Sequence, residues 1–232
     1  MFISTKTTIG RKLTAIDGDI GHVGDFYFDD KTWAVRYVIA ETGTWLTGRS
    51  VLLSPYAFFS FFDTAGKAHY VNLTRRQIEN SPSIELHRSV SRQFEENYFR
   101  YYGWPAYWQG GQMWGKSDFP VSTPATPLDR ALLHEYARWD DVHLRSTQAV
   151  TGYQIEALDG MIGTVSGFIV DDRTWEVRDL VVETGLWYAG KEVLISPYKV
   201  DRISYAESKV FVILTKSDIQ KTGNHEVAQA VA

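Results

Sequence analysis

Residues 17–56 read DGDIGHVGDFYFDDKTWAVRYVIAETGTWLTGRSVLLSPY, and residues 159–198 read DGMIGTVSGFIVDDRTWEVRDLVVETGLWYAGKEVLISPY. Set side by side without a gap, at a constant offset of 142, the two stretches agree at 22 of 40 positions. Many of the matches are turn formers: Asp17-Gly18 with Asp159-Gly160, Asp29-Asp30 with Asp171-Asp172, and Ser54-Pro55 with Ser196-Pro197. Such residues bend a chain because Gly reaches positive φ, Asp bonds its own backbone and Pro has no N–H. A repeat this long is a module said twice, whereas a solenoid would need more copies of a shorter unit.

Between the turns the apolar residues alternate. Phe26 and Phe28 share one face of a run, matched by Phe168 and Val170, and Trp33, Val35, Tyr37 and Ile39 form the main face of the next. A period of two marks a strand, and the Asp-Asp segment between the runs reads as a hairpin turn. Val38, Leu180 and Val182 fall on the opposite face, which predicts cover on both sides for the later part of that strand. Another strand begins at Gly48 or Gly190 and leaves its sheet at Ser-Pro-Tyr, because proline cannot donate to an interior ladder. A last strand, 69–73 or 209–214, leads into Thr74-Arg75-Arg76-Gln77 or Thr215-Lys216-Ser217-Asp218. The first has capping-box spacing and the second approximates it, so each module should finish in a short helix.

This pattern predicts a mainly β chain of two small β-barrels, with repeat 1 at residues 1–80, repeat 2 at 147–222 and a C-terminal tail at 223–232. Residues 81–146 differ in character and form a partly helical, aromatic-rich connector. Val90, Phe94, Tyr98 and Tyr101 lie near helical spacing within 89–102, a glycine- and proline-rich stretch follows, and Thr126-Pro127 starts a second helix to about Trp139 with Leu128, Leu132, Tyr136 and Trp139 on one side.

Composition narrows the functional classes. Hydrophobic residues make up 44% of the 232, and the eight Trp add enough apolar surface for a core in each module without staples. The chain has no cysteine, which removes disulfides, thiolate catalysis and cysteine metal sites and fits a reducing cytoplasm. Its net charge of −4 gives no general attraction to phosphate or anionic lipid. That charge resides in residues 147–232, with 8 basic against 12 acidic side chains. Neither an apolar leader at the N-terminus nor any run near the roughly 20 residues that span a bilayer is present, so the expectation is a soluble cytoplasmic protein without membrane insertion.

Candidate chemistry is sparse. Asp29-Asp30 and Asp171-Asp172 could pair for a hard cation, but a turn that bonds its own backbone explains them better, because an oxygen cage needs six or more ligands. Glu41 and Glu183 read the same way, with Arg36 or Arg178 as ion-pair partners. The spacing of Gly18, Gly21 and Gly24 fits no phosphate loop, and Ser166 replaces Gly24 in the second copy. His22, His69, His87, His134, His143 and His225 show no metal-ligand spacing. Ser54 and Ser196 precede proline and lack a nucleophile elbow. No catalytic, cofactor-binding or metal residue is therefore assigned. Tyr98, Tyr101, Tyr102, Trp104, Tyr107, Trp108 and Trp114 are either a cover over the seam between the modules or a partner surface. Trp33 and Trp175 are expected to pack fully into their own modules.

The ordered set Asp-Gly-x-Ile-Gly-x-Val, Asp-Asp-x-Thr-Trp-x-Val-Arg, Glu-Thr-Gly-x-Trp and Val-Leu-(Leu/Ile)-Ser-Pro resembles the PRC-barrel domain, over about residues 5–80 and 147–222. The resemblance implies a six-stranded or similar barrel used for assembly and macromolecular contact, as in the cytoplasmic part of the photosynthetic reaction centre H subunit and the C-terminal half of the ribosome maturation factor. No counterpart of the membrane helix of the one or the N-terminal domain of the other is expected here. The expectation is a non-enzymatic protein-interaction or assembly module that binds a protein partner or itself. Ribosome or RNA association is the alternative, and small-molecule binding comes third. The gap-free copies are further expected to pack against each other about a pseudo-twofold.

Overall fold

Glycine-bearing Asp turns and alternating apolar runs place the strands where the repeat predicts them. The computed structural model describes residues 1–58, 68–82, 90, 92–121, 126 and 144–222. Repeat 1 contains β1 (Phe2–Ser4), α1 (Thr5–Thr8), β2 (Lys12–Ala15), β3 (Gly18–Asp29), β4 (Val35–Glu41), β5 (Ser50–Leu53), β6 (Ala68–Tyr70) and α2 (Arg75–Glu79). The connector supplies α3 (Arg92–Tyr102). Repeat 2 starts earlier than the expected residue 147, because β7 (Leu144–Ser146) is the counterpart of β1 at the offset of 142; it continues with α4 (Thr147–Val150), β8 (Gln154–Ala157), β9 (Gly160–Asp171), β10 (Val177–Thr184), β11 (Glu192–Ile195), β12 (Val200–Ser204), β13 (Lys209–Val212) and α5 (Lys216–Thr222). The second connector helix expected over 126–139 lies, beyond Thr126, outside the described residues, as does the tail at 223–232.

The strands form two sheets, ordered β5-β4-β3-β2-β6 and β11-β10-β9-β8-β13-β12. Most neighbours are antiparallel, while β2 with β6 and β8 with β13 run parallel. Neither sheet closes into a barrel among the described residues. Each edge strand, β5 or β11, ends at Ser-Pro, where a 3-10 turn begins. The proline that opens this turn has no N–H with which to extend the ladder.

Each sheet is completed by a strand from the other repeat. β1 pairs with β9, with Ile3 opposite Val170, and β7 pairs with β3, with Arg145 opposite Phe28. Shifted by 142, either register becomes the other. The same reciprocity joins the hairpins: Val35 N donates to Trp175 O at 2.7 Å and Val177 N to Trp33 O at 2.7 Å. Contacts that exchange in this way are the signature of an isologous, pseudo-twofold pairing. The Phe28 and Phe168 rings meet at 5.4 Å across the junction, and one hydrophobic core runs through both repeats.

The hairpin explains the repeated Asp-Asp. Asp29 Oδ1 accepts from Lys31 N and Thr32 N, and Asp171 Oδ1 from Arg173 N and Thr174 N. The second aspartate holds the exchanged strand: Asp30 pairs with Arg145 at 2.6 Å, and Asp172 N donates to Met1 O. Trp33 and Trp175 close these turns with φ of 56° and 61°, so they precede β4 and β10 instead of beginning them. Left-handed backbone is costly for a bulky residue. Here it brings each Trp carbonyl to the other repeat. Trp175 is buried and meets Phe58 of repeat 1 at 5.3 Å, while Trp33 is only partly buried against the core, which corrects the expectation that each ring packs fully into its own module.

The two junctions are not chemically alike. Asp25 accepts from the Ser146 hydroxyl, from Thr147 Oγ1 at 2.8 Å and from Gln148 N at 3.1 Å, holding the first turn of α4. Burial raises its carboxyl above the usual range despite these donors. At the equivalent place stands Gly167, where a Cβ would meet Lys6, and Lys6 pairs with Glu192 at 2.7 Å. As predicted, Thr74 and Gln77 form a capping box on α2, and Thr215 with Asp218 does the same for α5. The tip aspartates add a bond, Asp17 accepting from Arg75 N and Asp159 from Lys216 N.

Candidate functional site

The aromatic connector lies on the outer side of repeat 1. From α3, Tyr98 donates its hydroxyl to Leu52 O at 2.9 Å and accepts from Ser54 N at 3.0 Å, which pins the helix to the end of β5. Glu95, one turn earlier and fully buried, accepts from Tyr37 OH at 2.6 Å and Tyr107 OH at 2.9 Å. Burial, and then the charge of Glu95, pushes the Tyr37 phenol well above its ordinary range, and burial does the same to Tyr98. These phenols act as neutral donors. Tyr102 is held up at about 12, mainly by burial, and stacks on Trp104 with centroids 4.4 Å apart.

Past α3 the loop folds over Arg36 of β4 and Tyr56 of the 3-10 turn that follows β5. Arg36 is 2% exposed and lies 3.9 Å from the Tyr107 ring centroid and 4.9 Å from that of Trp114. Its fork donates to Met113 O at 2.6 Å and Thr32 Oγ1 at 2.9 Å, with Asp29 at 3.7 Å. Tyr56, 5% exposed, packs against Trp104 at 5.8 Å and Trp114 at 5.3 Å. Trp114 then donates Nε1 to Thr174 O at 2.8 Å and so ties the connector to repeat 2.

The seven connector aromatics therefore have different fates. Tyr98, Trp104, Tyr107 and Trp114 are buried, Tyr102 and Trp108 are half-buried, and only Tyr101 is exposed, its hydroxyl donating to Gln77 O. They hold the connector onto the sheet and do not form an open patch. A cleft of about 550 Å³ lies beside Arg36, Tyr107, Trp108 and Gln112, and another of about 440 Å³ is lined by Tyr56, Trp114, Lys116 and Phe119. The guanidinium in the first cleft already spends both terminal nitrogens on protein acceptors, so it works as a clamp on the connector.

Other candidates resolve into structural roles. Arg36 and Arg178, expected beside Glu41 and Glu183, pair with Asp29 and Glu176. A shorter path explains this, since Asp29 and Glu176 flank the hairpin from which each arginine emerges. Ser54 is buried where the chain turns. Of the histidines, His22 and His69 are described and His69 is buried; the other four lie outside the described residues. Among the described residues no group of three or more His, Cys, Asp and Glu could hold a metal ion, and no helix is long and apolar enough to cross a membrane.

The feature that pattern reading missed is a difference between identical residues. Arg178 and Tyr198 occupy the places of Arg36 and Tyr56, yet Tyr198 is 79% exposed and the Arg178 side chain 48% exposed. They contact each other through Glu176, which accepts from Arg178 Nη1 at 2.9 Å and from Tyr198 OH at 3.4 Å. Beside them the Asp179 carboxyl, half-buried, is raised by desolvation. The signal was present in the neighbours, where Ala34, Tyr37 and Ala57 of repeat 1 become Glu176, Asp179 and Lys199. A scan against protein-family models and a search of curated proteins find no match to this chain.

Proposed function

We propose that this chain is a non-enzymatic protein-interaction module built from two PRC-type β-barrel repeats, in which the connector closes the outer face of repeat 1 and repeat 2 offers the matching face to a protein partner. The observation that carries the reading is the contrast between Arg36 and Tyr56, buried under connector aromatics, and Arg178 and Tyr198, the same residue types at the same repeat positions, exposed. Exposed Leu158, Met161 and Leu186 give repeat 2 further apolar surface of the kind found at interfaces. The motif set supports the PRC-type assignment, and the lack of cysteine supports work in a reducing cytoplasm.

A photo-crosslinking amino acid at position 198, with position 70 of repeat 1 as the exposed control, tests this in native cells. The expected result is a discrete protein adduct at 198 that is absent at 70 and lost when Arg178→Ala is added. Equal, diffuse labelling at both positions would sink the reading.

A further inference from the structure

The connector is held on repeat 1 by two sets of side chains, and repeat 2 retains one of them. The helix α3 is recognised by Tyr37, whose hydroxyl reaches Glu95 and whose ring meets Tyr98 at 5.6 Å. At that position repeat 2 has Asp179, which offers neither a phenol donor nor a ring. The turn-rich loop that follows is recognised by Arg36 and Tyr56, through the Met113 carbonyl and the rings of Trp104, Tyr107 and Trp114. Repeat 2 keeps this pair as Arg178 and Tyr198. The Tyr37 contacts to the helix are gone; Tyr56, which also meets Phe99 of α3 edge-on at 6.0 Å, is kept with Arg36 as the apparatus for an aromatic loop.

Resting on the reading of repeat 2 as a docking module, we propose that the Arg178–Tyr198 face takes a turn-forming Trp- and Tyr-bearing peptide segment of a protein partner that carries little charge. One ring would lie on Tyr198 as Trp104 lies on Tyr56, a second would cover Arg178 as Tyr107 covers Arg36, and a main-chain carbonyl would accept from the guanidinium as Met113 O does. Arg178 has five N–H donors and makes one hydrogen bond among the described residues, from Nη1 to Glu176 at 2.9 Å, so its fork retains capacity for that carbonyl. Charge limits the occupant. Glu176 and Asp179 are matched by Arg178 and Lys199 on this patch, so it carries no net charge and favours a segment with little charge of its own. The segment at 104–116 has that chemistry, with two Trp and a Tyr near its start, Trp114 near its end, and Lys116 as its sole charge.

A synthetic peptide of residues 104–116, capped at both ends, is therefore the probe, titrated into the full chain by calorimetry. Its copy in the chain already fills repeat 1, so binding to repeat 2 is expected as saturable and one-to-one. Tyr198→Ala and Arg178→Ala should each weaken it by about tenfold or more, as for the central anchors of an interface, while Tyr70→Ala leaves it unchanged. Both variants alter exposed side chains, and their unfolding midpoints serve as the check on folding. A scrambled peptide of equal composition should bind at least tenfold more weakly. No saturable binding, binding indifferent to Tyr198 and Arg178, or equal binding of the scrambled peptide would each overturn the proposal. A specific protein adduct at position 198 together with any of these results would overturn the occupant's chemistry and leave the docking reading standing.

Discussion

Replacing Ile3 with Ala tests whether the two repeats are one folding unit. Ile3 belongs by sequence to repeat 1, but β1 pairs with β9 of repeat 2, where Ile3 is 1% exposed opposite Val170. The change removes three carbons, worth roughly 0.8 kcal/mol each on burial, or about 2.4 kcal/mol. The cavity left in a core that cannot fully collapse raises this to about 3–4 kcal/mol. With a denaturant slope of about 2.5 kcal/mol per molar in urea, the midpoint should fall by roughly 1–1.5 M. Tryptophan fluorescence, which is weighted towards the connector on repeat 1, and far-ultraviolet circular dichroism should shift together. Amide exchange should speed up at Ile169–Asp172, whose partners lie in residues 1–4. A loss below about 1 kcal/mol, or a split transition in which only one half of the chain moves, would refute the exchanged-strand account.

Tyr56→Ala should cost about 3–5 kcal/mol by analogy with other buried aromatics, whereas Tyr198→Ala should stay within about 0.5 kcal/mol of the parent; urea unfolding of both decides, and equal losses would contradict the asymmetry. Trp175→Ala should likewise cost about 3–5 kcal/mol and Trp33→Ala less, in keeping with their different burial, as read from the same unfolding curves. Asp25 has a folded pKa raised by burial, so the stability it contributes is complete below its unfolded value and declines as pH rises through the folded one. The advantage of the parent over Asp25→Asn should therefore be larger near pH 4 than near pH 7, and an advantage that grows with pH would show that the hydrogen bonds from α4 outweigh desolvation.

The strands were legible because their signals are local. Gly18 and Gly160 mark the turns that open the long strands, alternation marks β3, β4, β9 and β10, and Thr74 with Gln77 marks the start of α2. Asp29 and Asp171 could be read as turn aspartates from their own chain neighbours. The exchange of β1 and β7 was not legible, since Phe2–Ser4 and Leu144–Ser146 are too short to carry a period and their partners lie more than a hundred residues away. Strand number and spacing predict barrels but do not say whether edges meet, and among the described residues neither sheet closes. The connector aromatics were recognised as unusual, but their burial depends on Arg36, Tyr37 and Tyr56, which Trp104, Tyr107 and Trp114 meet only after folding. Identity between Tyr56 and Tyr198 hid the difference that matters most, because the environment of a repeat position is set by what packs on it.

Hydroxyl-radical footprinting of Tyr56 and Tyr198 within the same chain tests the central claim most directly, since the two phenols differ only in their surroundings. The account predicts rapid oxidation at Tyr198 and slow oxidation at Tyr56 in the free protein, with Tyr198 becoming protected when the 104–116 peptide is bound. Equal rates at the two tyrosines in the free protein would contradict the account, because the connector would then not distinguish the two faces.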